Sequence, residues 1–213
     1  VKRLLKEKST KLHLLLLVVV LAVLIWSLIK PNGYLIWTME ALPAIVALII
    51  LLATYKRFRL TTLSYFIIAL LSITTFIGAH YTYTKVPFFN WLKDHFELNR
   101  NHYDRFGHFL KGLLAIVLRE ITIRKTPLKK GPWLTAITLS YILAISALYE
   151  IIEWLASIIS KGGKASEEFL GSQGDRWDAQ WDMSLTFLGA ILALLFLSKL
   201  HNKLLKKKNV DID

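Results

Sequence analysis

Three groups of ionisable residues recur at helical spacing in the second half of the chain. Asp104 and His108 are four apart, with Lys111 three further on. Glu150 and Glu153 are three apart, and Asp178 and Asp182 are four apart. Asp175 extends the last group to an i, i+3, i+7 stripe if its helix begins that early. On an α-helix these intervals place side chains on one face. A carboxylate pair or a carboxylate–histidine pair on one face offers two ligands to a cation, and helical bundles build metal sites this way. Histidine with carboxylate and no thiolate suits Zn, Mn or Fe, whereas Mg prefers oxygen ligands and water. The chain has no cysteine, which removes disulfides, thiolate metal centres, iron–sulfur clusters and cysteine nucleophiles. The candidate ligands of a divalent metal are therefore His80, Asp104, His108, Glu150, Glu153, Asp178 and Asp182. They exceed what one zinc needs, so two metals, or ligands mixed with general bases, both fit. With a metal-bound water as nucleophile, Glu153 or Asp175 would serve as base, and Lys111 or Arg105 would bind phosphate.

The elements that must carry these residues follow from composition. The chain has 213 residues, one domain's worth, of which 54% are apolar and 20% charged, with a mean hydropathy of +0.46. A soluble domain is about half apolar with about a quarter charged, and it scatters its apolar residues at period 2 or 3.6. Here they come in runs. The composition points to an integral membrane protein and excludes a soluble enzyme, a secreted disulfide scaffold and a disordered tail. A hydrocarbon core about 30 Å thick takes about 20 apolar residues of helix. Six segments qualify, near 12–29, 34–54, 61–83, 103–123, 133–159 and 176–200, in a single all-α domain. The first is too long for a signal-peptide core and lacks a small-x-small cleavage site, so it reads as a retained helix.

The net charge is +12, from 27 Lys and Arg against 15 Asp and Glu. Most of that surplus falls on one side of a six-span arrangement. Lys2, Arg3, Lys6, Lys8 and Lys11 precede the first span, and Lys56, Arg57 and Arg59 join the second to the third. Arg119, Arg124, Lys125, Lys129 and Lys130 end the fourth and begin the next connection, and Lys199, Lys203, Lys206, Lys207 and Lys208 follow the sixth. Positively charged connections stay in the cytoplasm, so both termini are expected there. The basic surplus is then a topology signal, and no nucleic-acid partner is expected.

On this topology the acids and histidines collect at the external side. His80 ends span three, and Asp104 and His108 begin span four. Glu150 and Glu153 lie in the outer half of span five; Asp175, Asp178 and Asp182 begin span six. Glu40 begins span two. Unpaired acids in hydrocarbon cost about 2.5–3.5 kcal/mol each on insertion scales, and clustered acids repel. A bound cation relieves both. Neutralisation by Arg105, Lys111 and Arg176 is the rival, as is simple interhelical hydrogen bonding. His13 and His201 sit among lysines at cytoplasmic ends and read as solvated, while His102 is near enough to Asp104 to be an outside ligand. Trp91, Trp154, Trp177 and Trp181 read as interface anchors. The external connection 84–102 carries the aromatic stretch Pro87-Phe-Phe-Asn-Trp91, and 160–174 holds Gly162-Gly163 and Gly171/Gly174 for tight turns.

Four blocks in order carry a family resemblance. They are Gly78-Ala-His-Tyr-Thr-Tyr83, Arg100-Asn-His-Tyr-Asp-Arg-Phe-Gly-His108, Tyr149-Glu-Ile-Ile-Glu-Trp154 and Gly171-Ser-Gln-Gly-Asp-Arg-Trp-Asp-Ala-Gln-Trp-Asp-Met183. Together they resemble YjdF-type bacterial inner-membrane proteins, over nearly all of the chain after the first span. The resemblance implies membership in a family without an assigned activity. A looser one, to VanZ-like membrane proteins, rests on Asp104…His108, Glu150/Glu153 and Asp182 before Gly189-Ala190, and it points towards cell-envelope lipids.

The expectation is a six-helix protein of a bacterial or archaeal cytoplasmic membrane, with a divalent-metal site near its external face. It would hydrolyse or transfer an ester or phosphoester of a membrane lipid or lipid-linked substrate. A transporter would need polar residues continuing to the cytoplasmic side, and a non-catalytic envelope sensor or scaffold would need none of the chemistry.

Overall fold

Hydrocarbon offers no hydrogen-bond partner, so a chain with long apolar runs must satisfy its backbone within helices. The computed structural model describes residues 2–159 and 171–212, and these are helical with no strand among them. In chain order the helices are α1 (Lys2–Ser27), α2 (Tyr34–Thr54), α3 (Thr62–Tyr81), α4 (Pro87–His95), α5 (Tyr103–Lys111), α6 (Leu114–Lys125), α7 (Pro132–Ile159) and α8 (Asp178–Lys207), with a 3-10 turn at Tyr83–Lys85. Five of them are long and apolar enough to cross a bilayer: Ser9–Ser27 of α1, then α2, α3, α7 and α8. Leu14, Ile25, Leu35, Ile49, Ile158 and Phe196 all point outward, exposed. In water such a surface would drive association; in a bilayer it meets lipid.

The fourth expected span differs from the sequence reading. It is two short helices in series, because α5 ends at Lys111 and α6 begins at Leu114. Across the junction the hydrogen bonds tighten to i→i+3: Gly112 N donates to Phe109 O (3.2 Å), and Leu113 N to Leu110 O (2.9 Å). The break lies where two backbones meet. A Cβ on Gly112 would come within 2.4 Å of Ala190 N, and one on Gly189 within 2.1 Å of Phe109 O. Only glycine allows that approach, the small-residue packing common between membrane helices. The pair α5–α6 is packed between α3, α7 and α8, with Ala115, Ile116 and Glu120 fully buried. Neighbouring helices shield this segment from lipid, which accounts for its polarity.

Other boundaries also move. α1 starts well before residue 12, α8 starts at Asp178, and the external connection 84–102 holds a helix, α4. Asp175 therefore lies before α8 and does not share a helix face with Asp178 and Asp182. Residues 160–170, including Gly162-Gly163, lie outside the described residues. The elements alternate in direction so that two ends are defined. At one end Asn32 N donates to His80 O (2.9 Å); at the other Arg124 Nη1 and Lys208 Nζ donate to Arg59 O (2.8 and 2.7 Å).

Candidate functional site

The glycine contact between α5 and α8 sets the site. One to three turns above Gly112 and Gly189, the same helix faces carry His108 and Asp104 on α5, and Thr186, Asp182 and Asp178 on α8. α7 packs along α8 and contributes Glu150 and Glu153. One potential ligand atom from each of Asp104, His108 and Asp182 lies within 4.8 Å of the other two, and all three residues are buried. His108 Nε2 is 3.6 Å from Asp104 Oδ1, and its Nδ1 is 3.8 Å from Glu150 Oε1. Thr186 Oγ1 sits 3.4 Å from the same Nδ1 while donating to Asp182 O. Lys111 Nζ reaches His108 Nε2 at 2.9 Å and lies 4.3 Å from the centre of the Tyr149 ring.

Buried polar atoms are normally hydrogen-bonded. Here Asp182 Oδ1 and Glu150 Oε1 are buried with no hydrogen-bond partner among the described residues, as is Ser146 Oγ, one turn from Glu150 on α7. Glu153 is buried beside them, within electrostatic range of Asp104, Glu150 and Asp182. Lys111 is the cation that acts on all four carboxylates.

Two connections close over this cluster. Gly171, at φ +65°, presses against Asp104 Oδ2, where a Cβ would come within 2.8 Å. Asn101 and Gln173 exchange two hydrogen bonds of 2.9 Å, from Asn101 N to Gln173 Oε1 and from Gln173 Nε2 to Asn101 O. Arg100, itself buried, donates to Gly171 O (2.9 Å), to Ser172 O (3.3 Å) and to the Asp178 carboxylate. Arg105 pairs with Asp175. The Trp177 backbone N–H, with help from Arg105, holds the Asp175 carboxyl below its usual range. His102, at the same rim, is pushed below the usual imidazole value by burial, then by Arg105 and Arg100.

A family model described as a predicted membrane protein (DUF2238) matches residues 12–203. The chain belongs to this family. The inner membrane protein YjdF of Escherichia coli (strain K12) is 40% identical over 186 residues, covering 87% of this chain and 88% of that one. No solved structure gives a significant match. The resemblance read from the four blocks is thereby shown, and with the apolar helices it makes the chain a multi-pass membrane protein; neither match concerns the VanZ-like resemblance.

Within this DUF2238 chain the candidate residues divide. Asp104, His108, Glu150, Glu153, Asp182 and Lys111 come together. Asp178 joins them at the rim but is bonded to Arg100, and Asp175 and Arg105 hold one another at the loop edge. His80 goes elsewhere: its Nδ1 is 3.2 Å from Ser27 O and its ring lies 4.3 Å from Trp26, both on α1. Arg176 is exposed over the Trp177 ring; the arginine that enters the cluster is Arg100, which the spacing argument passed over because it lies in a connection. Glu40 is buried and accepts from Tyr83 N at 3.3 Å.

The reading of His13 and His201 as solvated is overturned. Both are buried, because side chains from other helices cover them, aromatic and hydroxyl groups at His13 and an arginine with a carboxylate at His201. His13 bonds Tyr55 Oη and Thr62 Oγ1, each at 3.0 Å. His201 lies 2.9 Å from Arg119 Nη1 and 3.4 Å from Glu120 Oε2. Glu120 also accepts from Thr61, Ser64 and Arg124, so a second buried network forms at the lysine-rich end. The Arg119-Glu120 pair inside an otherwise apolar run was its available signal.

Proposed function

We propose that Asp104, His108 and Asp182 hold a divalent cation, with Glu150 as a further ligand, near the external face of a six-crossing bundle whose termini are both cytoplasmic. The observation that carries this is the buried trio within 4.8 Å, beside two carboxylate oxygens that have no hydrogen-bond partner among the described residues. Asp178 and Asp175 bond to arginines, whereas Asp104, Asp182, Glu150 and Glu153 share Lys111; one ammonium against four carboxylates leaves three negative charges, of which a dication offsets two. Ligand bonds of about 2.0–2.2 Å place ligand atoms about 3.4 Å apart in a tetrahedral site and at most about 4.4 Å apart when opposed, so a trio spread over as much as 4.8 Å draws in on binding a cation. In this reading α5 and α6 together make the sixth crossing: 23 residues at about 1.5 Å each match the hydrocarbon core.

The chemistry consistent with such a centre is hydrolysis or transfer at a lipid ester or phosphoester, in which a metal activates water. Glu153 is then the base. A phosphate arriving at the loop edge competes with Asp175 for Arg105, with Trp177 and Trp181 exposed beside it as a footing for the lipid. A translocation path is less well supported. Ile116 on α6 and Ala190, Ala193 and Leu194 on α8 form an apolar layer between the outer cluster and the Glu120–His201 network.

The rival, a structural network neutralised by Lys111, has the 2.9 Å Lys111–His108 contact in its favour. Metal analysis of the purified protein with a chelator series separates the two. A metal centre yields stoichiometric metal, thermal destabilisation by chelator at neutral pH, and loss of both in His108→Ala and Asp182→Asn. Absence of metal, indifference to chelator and collapse of Lys111→Met would establish the network instead.

A further inference from the structure

At the lysine-rich end, away from the outer cluster, a cavity of about 590 Å³ opens between α1, α2 and α3. Its origin is in the packing. α1 and α2 each lie along α3 but scarcely touch one another among the described residues. The apolar part of α1, Ser9–Ser27, is nevertheless pinned near both its ends, by His13 to Tyr55 and Thr62 and by Trp37 Nε1 donating to Ser27 Oγ at 3.1 Å. The gap between α1 and α2 therefore persists as a cleft rather than closing.

Its walls are apolar, with Leu17, Val20, Leu48 and Ala69 among them, and its mouth is basic, at Lys56 and Arg57. No carboxylate is among the described residues that line it. From Thr10 at the mouth to Val20 at depth is ten residues of helix, about 15 Å at 1.5 Å each. That is about half the hydrocarbon thickness, the depth of one leaflet. The volume lies within the ~300–1,000 Å³ of ordinary ligand sites. Arg59, 5.3 Å from the Tyr55 ring, adds a third cation beside the mouth. An apolar slot one leaflet deep under two exposed cations complements one kind of occupant.

We propose that this cleft binds one acyl chain of an anionic phospholipid, whose phosphate sits against Lys56 and Arg57. The site is independent of any metal at the other end, and it draws its lipid from the leaflet that faces the lysine-rich surface. Its basic mouth gives the selectivity, because Lys and Arg near a membrane surface favour anionic headgroups.

The test is native mass spectrometry of the delipidated full chain, titrated with phosphatidylglycerol or with phosphatidylcholine of identical chains. One phosphatidylglycerol should bind, about tenfold or more tighter than phosphatidylcholine. Lys56→Gln with Arg57→Gln should erase that preference and leave the weaker chain-driven binding. Ala53→Phe fills the cleft from an exposed position on α2 and should weaken both lipids, with lipid-free thermal unfolding unchanged as the control for folding. Equal binding of the two lipids, or phosphatidylglycerol binding untouched by either variant, overturns the proposal. So does a dimer that Ala53→Phe converts to monomer, since a second copy would then fill the cleft.

Discussion

Arg100 illustrates how much can rest on one side chain in a connection. It is buried, its guanidinium joins two backbone carbonyls of the 171–172 stretch to the Asp178 carboxylate, and it ties the loop before α5 to the start of α8. Removing one member of a buried ion pair costs about 3–5 kcal/mol, because the other charge is stranded. Arg100→Met should lower stability on that order, and adding Asp178→Leu should recover most of it, read as unfolding midpoints in detergent. The same rim predicts acid sensitivity. His102 titrates below its ordinary value of 6.5, so below that pH the unfolded chain binds the extra proton and stability falls. Asp175, held below its ordinary value of 3.8, adds a second loss when the pH drops further. Midpoints measured from pH 8 to pH 5 should decline, and His102→Gln should flatten the decline. An unchanged slope in that variant would mean that another group titrates.

At the scale of elements, the decisive contact is backbone on backbone. Gly112 and Gly189 let α5 and α8 approach until no Cβ fits between them, and that approach brings His108 to Asp182. Overpacking a tight interior costs about 1–3 kcal/mol, and here a rigid backbone, not a flexible side chain, would have to yield. Gly189→Val should therefore destabilise by at least that much and separate Asp182 from His108, abolishing any metal retention. Gly33→Ala meets only ordinary contacts, the nearest being Ile36 Cδ1 at 3.6 Å, and should leave the midpoint unchanged. Equal behaviour of the two variants would remove the helix contact as the cause. The same crossing explains why α5 and α6 are separate helices, since the chain bends where it meets α8.

For the whole molecule, the two ends differ in kind. One carries buried acids under two docked loops, and the other carries lysines and arginines around the Glu120–His201 network and the α1–α2 cleft. If basic connections set orientation, the acidic end is external. The chain lacks cysteine, so single cysteines report cleanly. Asp94→Cys should react with a membrane-impermeant reagent from outside intact cells, while Lys56→Cys and Asn209→Cys should react only after lysis. Labelling of Lys56→Cys in intact cells would reverse the orientation and place the candidate metal centre in the cytoplasm.

Much of this was legible in the residues themselves. Long apolar runs require helices in hydrocarbon, so the all-helical membrane class follows from composition and run length alone. Intervals of three and four place Asp104 with His108, and Glu150 with Glu153, because a helix has one period. The blocks around them were sufficient to recognise the family. Tertiary structure decided which of these local pairs meet and which find other partners. His80 has the same residue type and depth as His108, yet it packs on α1, because its helix face turns away from α8. Asp175 left the stripe when α8 began at Asp178, and Arg100 entered from a connection that has no period to read. His13, His201 and Glu120 were drawn into buried networks by partners 42 to 82 residues away. Local spacing constrains one helix at a time; the cluster exists because two glycines let two helices touch, and that is a property of the packed bundle.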